Sequence, residues 1–85
     1  MNQLLTYTLV LEYNYVATGE SLGSVWLFYG DGTSDLTKTE TMESMPGWLK
    51  IIGPVDYEIA SDVQANLKVF FERNGQKVID KGIAD

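Results

Sequence analysis

With 85 residues, 45% of them apolar, and a formal charge of −6, the chain is sized for a single small domain over residues 1–85 that buries only about 60% of its unfolded surface. It has no cysteine and no histidine, which excludes disulfides, thiolate or imidazole metal sites and histidine acid–base chemistry. Residues 1–37 hold Glu12, Glu20, Asp31 and Asp35 without one lysine or arginine, a distribution that repels nucleic acid and anionic membrane.

The opening "MNQLLTYTLVLEY" has no basic start, no unbroken apolar run and no small-residue cleavage site. The pattern predicts neither a signal peptide nor a membrane span, and the expected location is the cytoplasm. Residues 4–16 alternate strictly. Leu5, Tyr7, Leu9, Leu11, Tyr13 and Tyr15 share one face, and Thr6, Thr8, Glu12 and Asn14 share the other with Leu4, Val10 and Val16. Period two over this length predicts a long, half-buried strand.

After the turn-forming "ATGESLGS" comes "VWLFY", apolar at every position and ending on Gly30-Asp31-Gly32. A tight turn at Asp31-Gly32 predicts a hairpin of about 24–30 and 33–40, with Leu27 facing Leu36 and Tyr29 facing Ser34. "TMESMPGW" has little regular pattern. Beyond it, "WLKIIG" and "PVDYEIA" alternate again, with Val55, Tyr57 and Ile59 inward and Asp56 and Glu58 outward; Gly53-Pro54 marks a kink, bulge or edge.

Residues 61–80 fit two structures. As a helix, Ser61 and Gln64 have capping-box spacing, Val63, Leu67, Phe70 and Phe71 form one stripe, and Asn74-Gly75 is a stop. As a hairpin, Asn74-Gly75 is the turn, setting Phe71 opposite Val78, Phe70 opposite Ile79 and Glu72 opposite Lys77. The run Val69-Phe70-Phe71 favours the hairpin. The expected fold is an all-β antiparallel sandwich or small barrel of about six strands. The alternative is α+β, a four- to five-stranded antiparallel sheet with one helix at about 62–74.

Chemistry-bearing patterns are few. Asp31, Thr33 and Asp35 alternate like calcium-loop oxygens, but the sixth and twelfth positions from Asp31 are Leu36 and Met42, where such a loop needs glycine and glutamate. A looser loop would draw on Asp31, Asp35 and Glu40, yet the turn reading is favoured and no metal is expected. Asp56 and Glu58 have the separation of a glycosidase pair, but a chain this short encloses no deep cleft around them, and a solvated strand face explains both. The serines lack a base, and "GDGTSD" lacks the lysine of a phosphate loop. The expectation is therefore no enzyme and no cofactor.

Apolar excess is the informative feature. If Val25, Leu27 and Tyr29 face a core, Trp26 and Phe28 face away from it, and a two-layer sandwich leaves that side wet. Trp26 and Phe28 with Tyr13, Tyr15 and Phe70 then make a sticky sheet face of the kind that carries binding hot spots. A helix laid across that face would instead cover it internally. Trp48, with Leu49, Ile51 and Ile52, reads as core. The sequence thus predicts a non-catalytic interaction protein, a small inhibitor or accessory factor of the size and composition that phage and mobile elements encode, binding a protein partner or its own copies. A small-ligand or carbohydrate module, or a virion or filament subunit, is the alternative.

Overall fold

The computed structural model describes residues 5–15, 18–33 and 42–84, the side chains of Tyr15, Ser44, Ile83 and Ala84 excepted. Strand β1, Thr6–Tyr15, turns back into β2, Ser21–Tyr29, in antiparallel register from Tyr7 opposite Tyr29 to Tyr15 opposite Ser21. Strand β3, Leu49–Asp56, lies antiparallel along the other edge of β2. Helix α1, Tyr57–Arg73, follows without a break, and β4, Lys77–Ala84, returns parallel to β1 from Thr6 opposite Lys77 to Tyr13 opposite Ala84. The sheet order is β3-β2-β1-β4.

The fold is therefore a small α+β domain, a four-stranded mixed sheet with one helix, and not the six-stranded sandwich or barrel. The α+β alternative fits, except that β4 runs parallel to β1 and the helix starts earlier than 62. Joining strands at opposite edges of the sheet, β3 and β4, requires a crossover, and α1 supplies it.

Three local features fix the helix. Asp56 is the N-cap: its Oδ1 accepts from the Glu58 backbone N–H at 2.9 Å. Tyr57 and Glu58 thus open a helix where period-two alternation predicted a strand, and Ser61 lies inside the helix instead of capping it. Along α1, Tyr57, Ala60, Val63, Gln64, Leu67 and Phe71 face the sheet, the stripe expected of a packed amphipathic helix. At the far end the Gly75 N–H reaches the Glu72 carbonyl at 3.1 Å and the Gln76 N–H reaches the Phe71 carbonyl at 3.0 Å, with Gly75 at φ 82°. This paired arrangement terminates a helix with a left-handed glycine. Asn74-Gly75 is that stop and not a hairpin turn.

Of the hairpin of about 24–30 with 33–40, residues 34–40 lie outside the described residues, but the expected place of Leu36 beside Leu27 is taken. Leu27 has Leu9 on one side and Leu49 on the other, so no edge of β2 is left for Leu36 at that position. Ser34 and Leu36 lie outside the described residues. β3 is an edge strand with a register irregularity near Val25, in keeping with the kink or edge expected around Gly53-Pro54.

The sheet has a core on each side. Leu9, Leu11, Val25 and Leu27 pack under Ala60 and the helix stripe. On the opposite side Val10, Trp26 and half-buried Phe28 pack under Met42, Met45 and Trp48 from the irregular segment before β3. The lack of alternation in "VWLFY" follows directly, since β2 is a central strand covered on both faces.

Candidate functional site

The residues expected to form one sticky face are dispersed. Trp26 is 4% exposed, and its indole Nε1 donates to Glu12 Oε1 at 3.2 Å beneath the Met42–Trp48 segment. Phe28 is half-buried against Trp48, ring centroids 5.1 Å apart. The expected open sheet face at Trp26 and Phe28 is thus a second core, covered by a connection whose sequence showed little pattern. Tyr13 is on the helix side, edge-on to Tyr57 at 5.4 Å and within 3.2 Å of the Ser21 hydroxyl. Tyr15 ends β1, and its side chain is outside the described part. Of the five, Phe70 alone among the described side chains is broadly exposed, at 60%.

Phe70 belongs to a different apolar surface. α1 starts beside β3 and ends beside β4, so it crosses the sheet obliquely and leaves a corner of the helix side open. The rings of Tyr29, Tyr7, Phe71 and Phe70 run in sequence across that corner, with centroid separations of 5.3, 4.7 and 5.8 Å. Tyr29 and Phe70, the two ends of this chain of rings, are both exposed. Leu49, also exposed, pairs with Leu27 two residues from Tyr29, within diagonal reach across the strands. Exposed Leu5 precedes Tyr7 by two residues on the same side, and exposed Ile51 follows Leu49 on the outer edge. Sequence reading assigned Leu49 and Ile51 to the core with Trp48; Trp48 is buried and these two are not. Tyr29, which the alternation of β2 places inward with Val25 and Leu27, is exposed instead.

The polar candidates resolve into local structure. Asp31 Oδ1 accepts from the Thr33 backbone N–H at 3.0 Å and from its hydroxyl at 2.7 Å, a side-chain turn that leaves Asp31 committed. Those two bonds from Thr33 hold the Asp31 carboxyl below its usual range. Asp35 and Glu40 lie outside the described residues. Among the described residues no group of three or more acidic side chains gathers as metal ligands would. Asp56 is occupied as a helix cap, its Oδ1 accepting from the Glu58 N–H, and Glu58 lies in the first turn of α1. Glu43 is held below its usual range by the hydrogen bond and charge of Lys50, whose Nζ is 2.9 Å away and also stands 5.2 Å from the Trp26 ring centroid. Among the described residues no helix is long and apolar enough to cross a membrane.

No protein-family model, curated protein or solved structure matches this chain.

Proposed function

We propose that this chain is a non-catalytic protein-interaction protein that docks through the open corner bearing Tyr29, Leu49 and Phe70, and that its first partner is a second copy of itself. The observation carrying this reading is the exposure of large apolar side chains along one continuous surface, with Tyr29 at 64%, Phe70 at 60% and Leu49 at 49%. Isolated exposed apolar residues are ordinary, but exposed Tyr29 and Phe70 linked through a run of edge-on and tilted ring contacts, with exposed Leu49 on the neighbouring strand, have the character of an interface.

The adjoining edge favours self-association. β3 ends the sheet order, so the outer backbone groups of residues 49–52 have no strand beside them among the described residues, and Leu49 and Ile51 flank them. The opposite edge, β4, carries Lys77, Asp80 and Lys81, charges that discourage strand addition. Two β3 strands related by a two-fold axis would extend the sheet and bring both copies of Leu49 together. In this reading the protein acts in the cytoplasm as a small accessory or inhibitory factor, and its acidic surface steers it toward a basic target.

The test is the mass in solution by light scattering, from micromolar to near-millimolar protein, for the wild type, Leu49→Lys and Phe70→Ser. A dimer that becomes a monomer in Leu49→Lys, with an unchanged far-ultraviolet spectrum, is the expected result. A wild type that stays monomeric throughout, or a dimer indifferent to both substitutions, overturns the reading.

A further inference from the structure

The covered side of the sheet is not sealed. Beside Trp26 a pocket of about 240 Å³ opens, with Glu12, Asn14, Ser24 and Trp26 in its wall and Glu43 and Lys50 among its lining. Glu12 is 6% exposed and Ser24 2%, so they form the floor. The side chains of Lys50 and Glu43 are 31% and 71% exposed and form the rim. A volume just below the usual range of about 300–1,000 Å³ suits a ligand smaller than a drug-sized molecule.

Among the described residues the floor carboxylate makes no salt bridge. Among the described residues Glu12 accepts its hydrogen bond from the neutral Trp26 indole, and the salt bridge present there is Lys50 with Glu43. A carboxylate withdrawn from water is stabilised by an opposite charge, and one neutral donor at 3.2 Å is a weak substitute. The rim shows what the site accepts. The Lys50 ammonium sits 5.2 Å from the Trp26 ring centroid while pairing with Glu43, so a cation is already held between this aromatic wall and a carboxylate. With two carboxylates against one ammonium, the lining keeps an excess negative charge.

We propose that this pocket binds a compact organic cation, a primary ammonium or guanidinium head that pairs with Glu12 against the Trp26 indole. Asn14 and Ser24, joined by a 3.1 Å hydrogen bond, present polar atoms beside that seat. A guanidinium suits it best, because its planar fork meets a carboxylate while its face lies on the indole. The head group can belong to a free small amine or to a side chain offered by another protein. This site is separate from the Tyr29–Phe70 corner and does not depend on it.

Methylguanidine and butylamine are titrated into ¹⁵N-labelled protein, following the Trp26 indole N–H signal, with acetate and glucose as controls. A saturable shift with the two cations and none with the controls is expected. Glu12→Gln weakens binding by about tenfold or more, as loss of a buried charge partner does. Lys50→Ala, which removes the resident ammonium and leaves the floor intact, tightens it; this second variant decides the matter if Glu12→Gln does not fold. No saturable shift, an equal response to glucose, equal affinity in a folded Glu12→Gln, or weaker binding in Lys50→Ala overturns the proposal. A glycine-flanked arginine peptide that binds more tightly than methylguanidine assigns the head group to a protein; the reverse order assigns it to a free amine.

Discussion

Gly32 lies directly beneath the Trp48 indole: a Cβ built on Gly32 would stand 2.7 Å from Trp48 Cζ2 and 3.0 Å from the Phe28 ring. Neither partner can easily withdraw, because both belong to the core over Trp26. Nor can the backbone shift freely. The Gly32 N–H donates to Thr8 Oγ1 at 2.9 Å, and the same buried hydroxyl donates to the Gly30 carbonyl at 2.7 Å. Gly32→Ala is expected to destabilise the fold by about 1–3 kcal/mol, the usual range for overpacking. Urea unfolding measures it. A midpoint equal to wild type would mean that Trp48 is not seated where the structure puts it.

Asp56 and Glu58 offer a second check, since the sequence places both on a strand, whereas Asp56 ends β3 and caps α1 and Glu58 lies within the helix. Asp56→Ala removes the acceptor for the Glu58 N–H and should cost about 0.5–2 kcal/mol. Asp56→Ser or Asp56→Asn, which can also cap, should restore most of that. Thermal melting of the three variants settles it: a solvated strand residue would show no such ranking.

The parts that were legible and those that were not differ physically. β1 is readable because its second face, though also covered, is lined mostly by polar side chains, Thr6, Thr8, Glu12 and Asn14 beside Val10, so the alternation of residue type survives. β2 was misread because a central strand with two covered faces has no alternation, and its excess of apolar residues was assigned to a partner protein. The cover, Met42, Met45 and Trp48, comes from a segment with no period, so nothing local announced it. The helix was ambiguous because Asn74-Gly75 serves a helix stop and a hairpin turn equally well. The parallel pairing of β4 with β1 excludes the turn, and that is a contact across the whole chain. Glu12 followed the polar phase of β1 correctly; its burial depends on the same unpatterned segment. Gln64, buried on α1 with its amide donating to Asp80 of β4, was assigned only a capping role.

Acid sensitivity follows from Asp31 and Glu43. Both carboxyls are held below their ordinary values, Asp31 by the hydrogen bonds from Thr33 and Glu43 by Lys50. A folded-state value below the unfolded one means that the ionised form favours the fold. The contribution is complete above the unfolded value, near 4, and is lost as pH falls through the folded value. Both groups are at the surface, so the effect is small and screened by salt. Asp31→Ala should melt slightly below wild type at neutral pH, and the gap should close in strong acid. A gap that widens on acidification would reverse the assigned sign.

Met42 and Phe70 separate a core surface from an interaction surface within one experiment. Met42 is 3% exposed and lies over Trp26, so Met42→Ala should destabilise by about 2–5 kcal/mol, the range for cutting a buried side chain to alanine. In so small a domain that is a large share of the total stability. The opened face should redden tryptophan emission and bind a hydrophobic dye. Phe70, at 60% exposure, should behave oppositely: Phe70→Ser leaves the unfolding midpoint of the dilute protein nearly unchanged and alters only association. If Met42→Ala were silent and Phe70→Ser destabilising, Trp26 would be the exposed ring and Phe70 the packed one, and the interaction surface would return to the sheet face first read from the sequence.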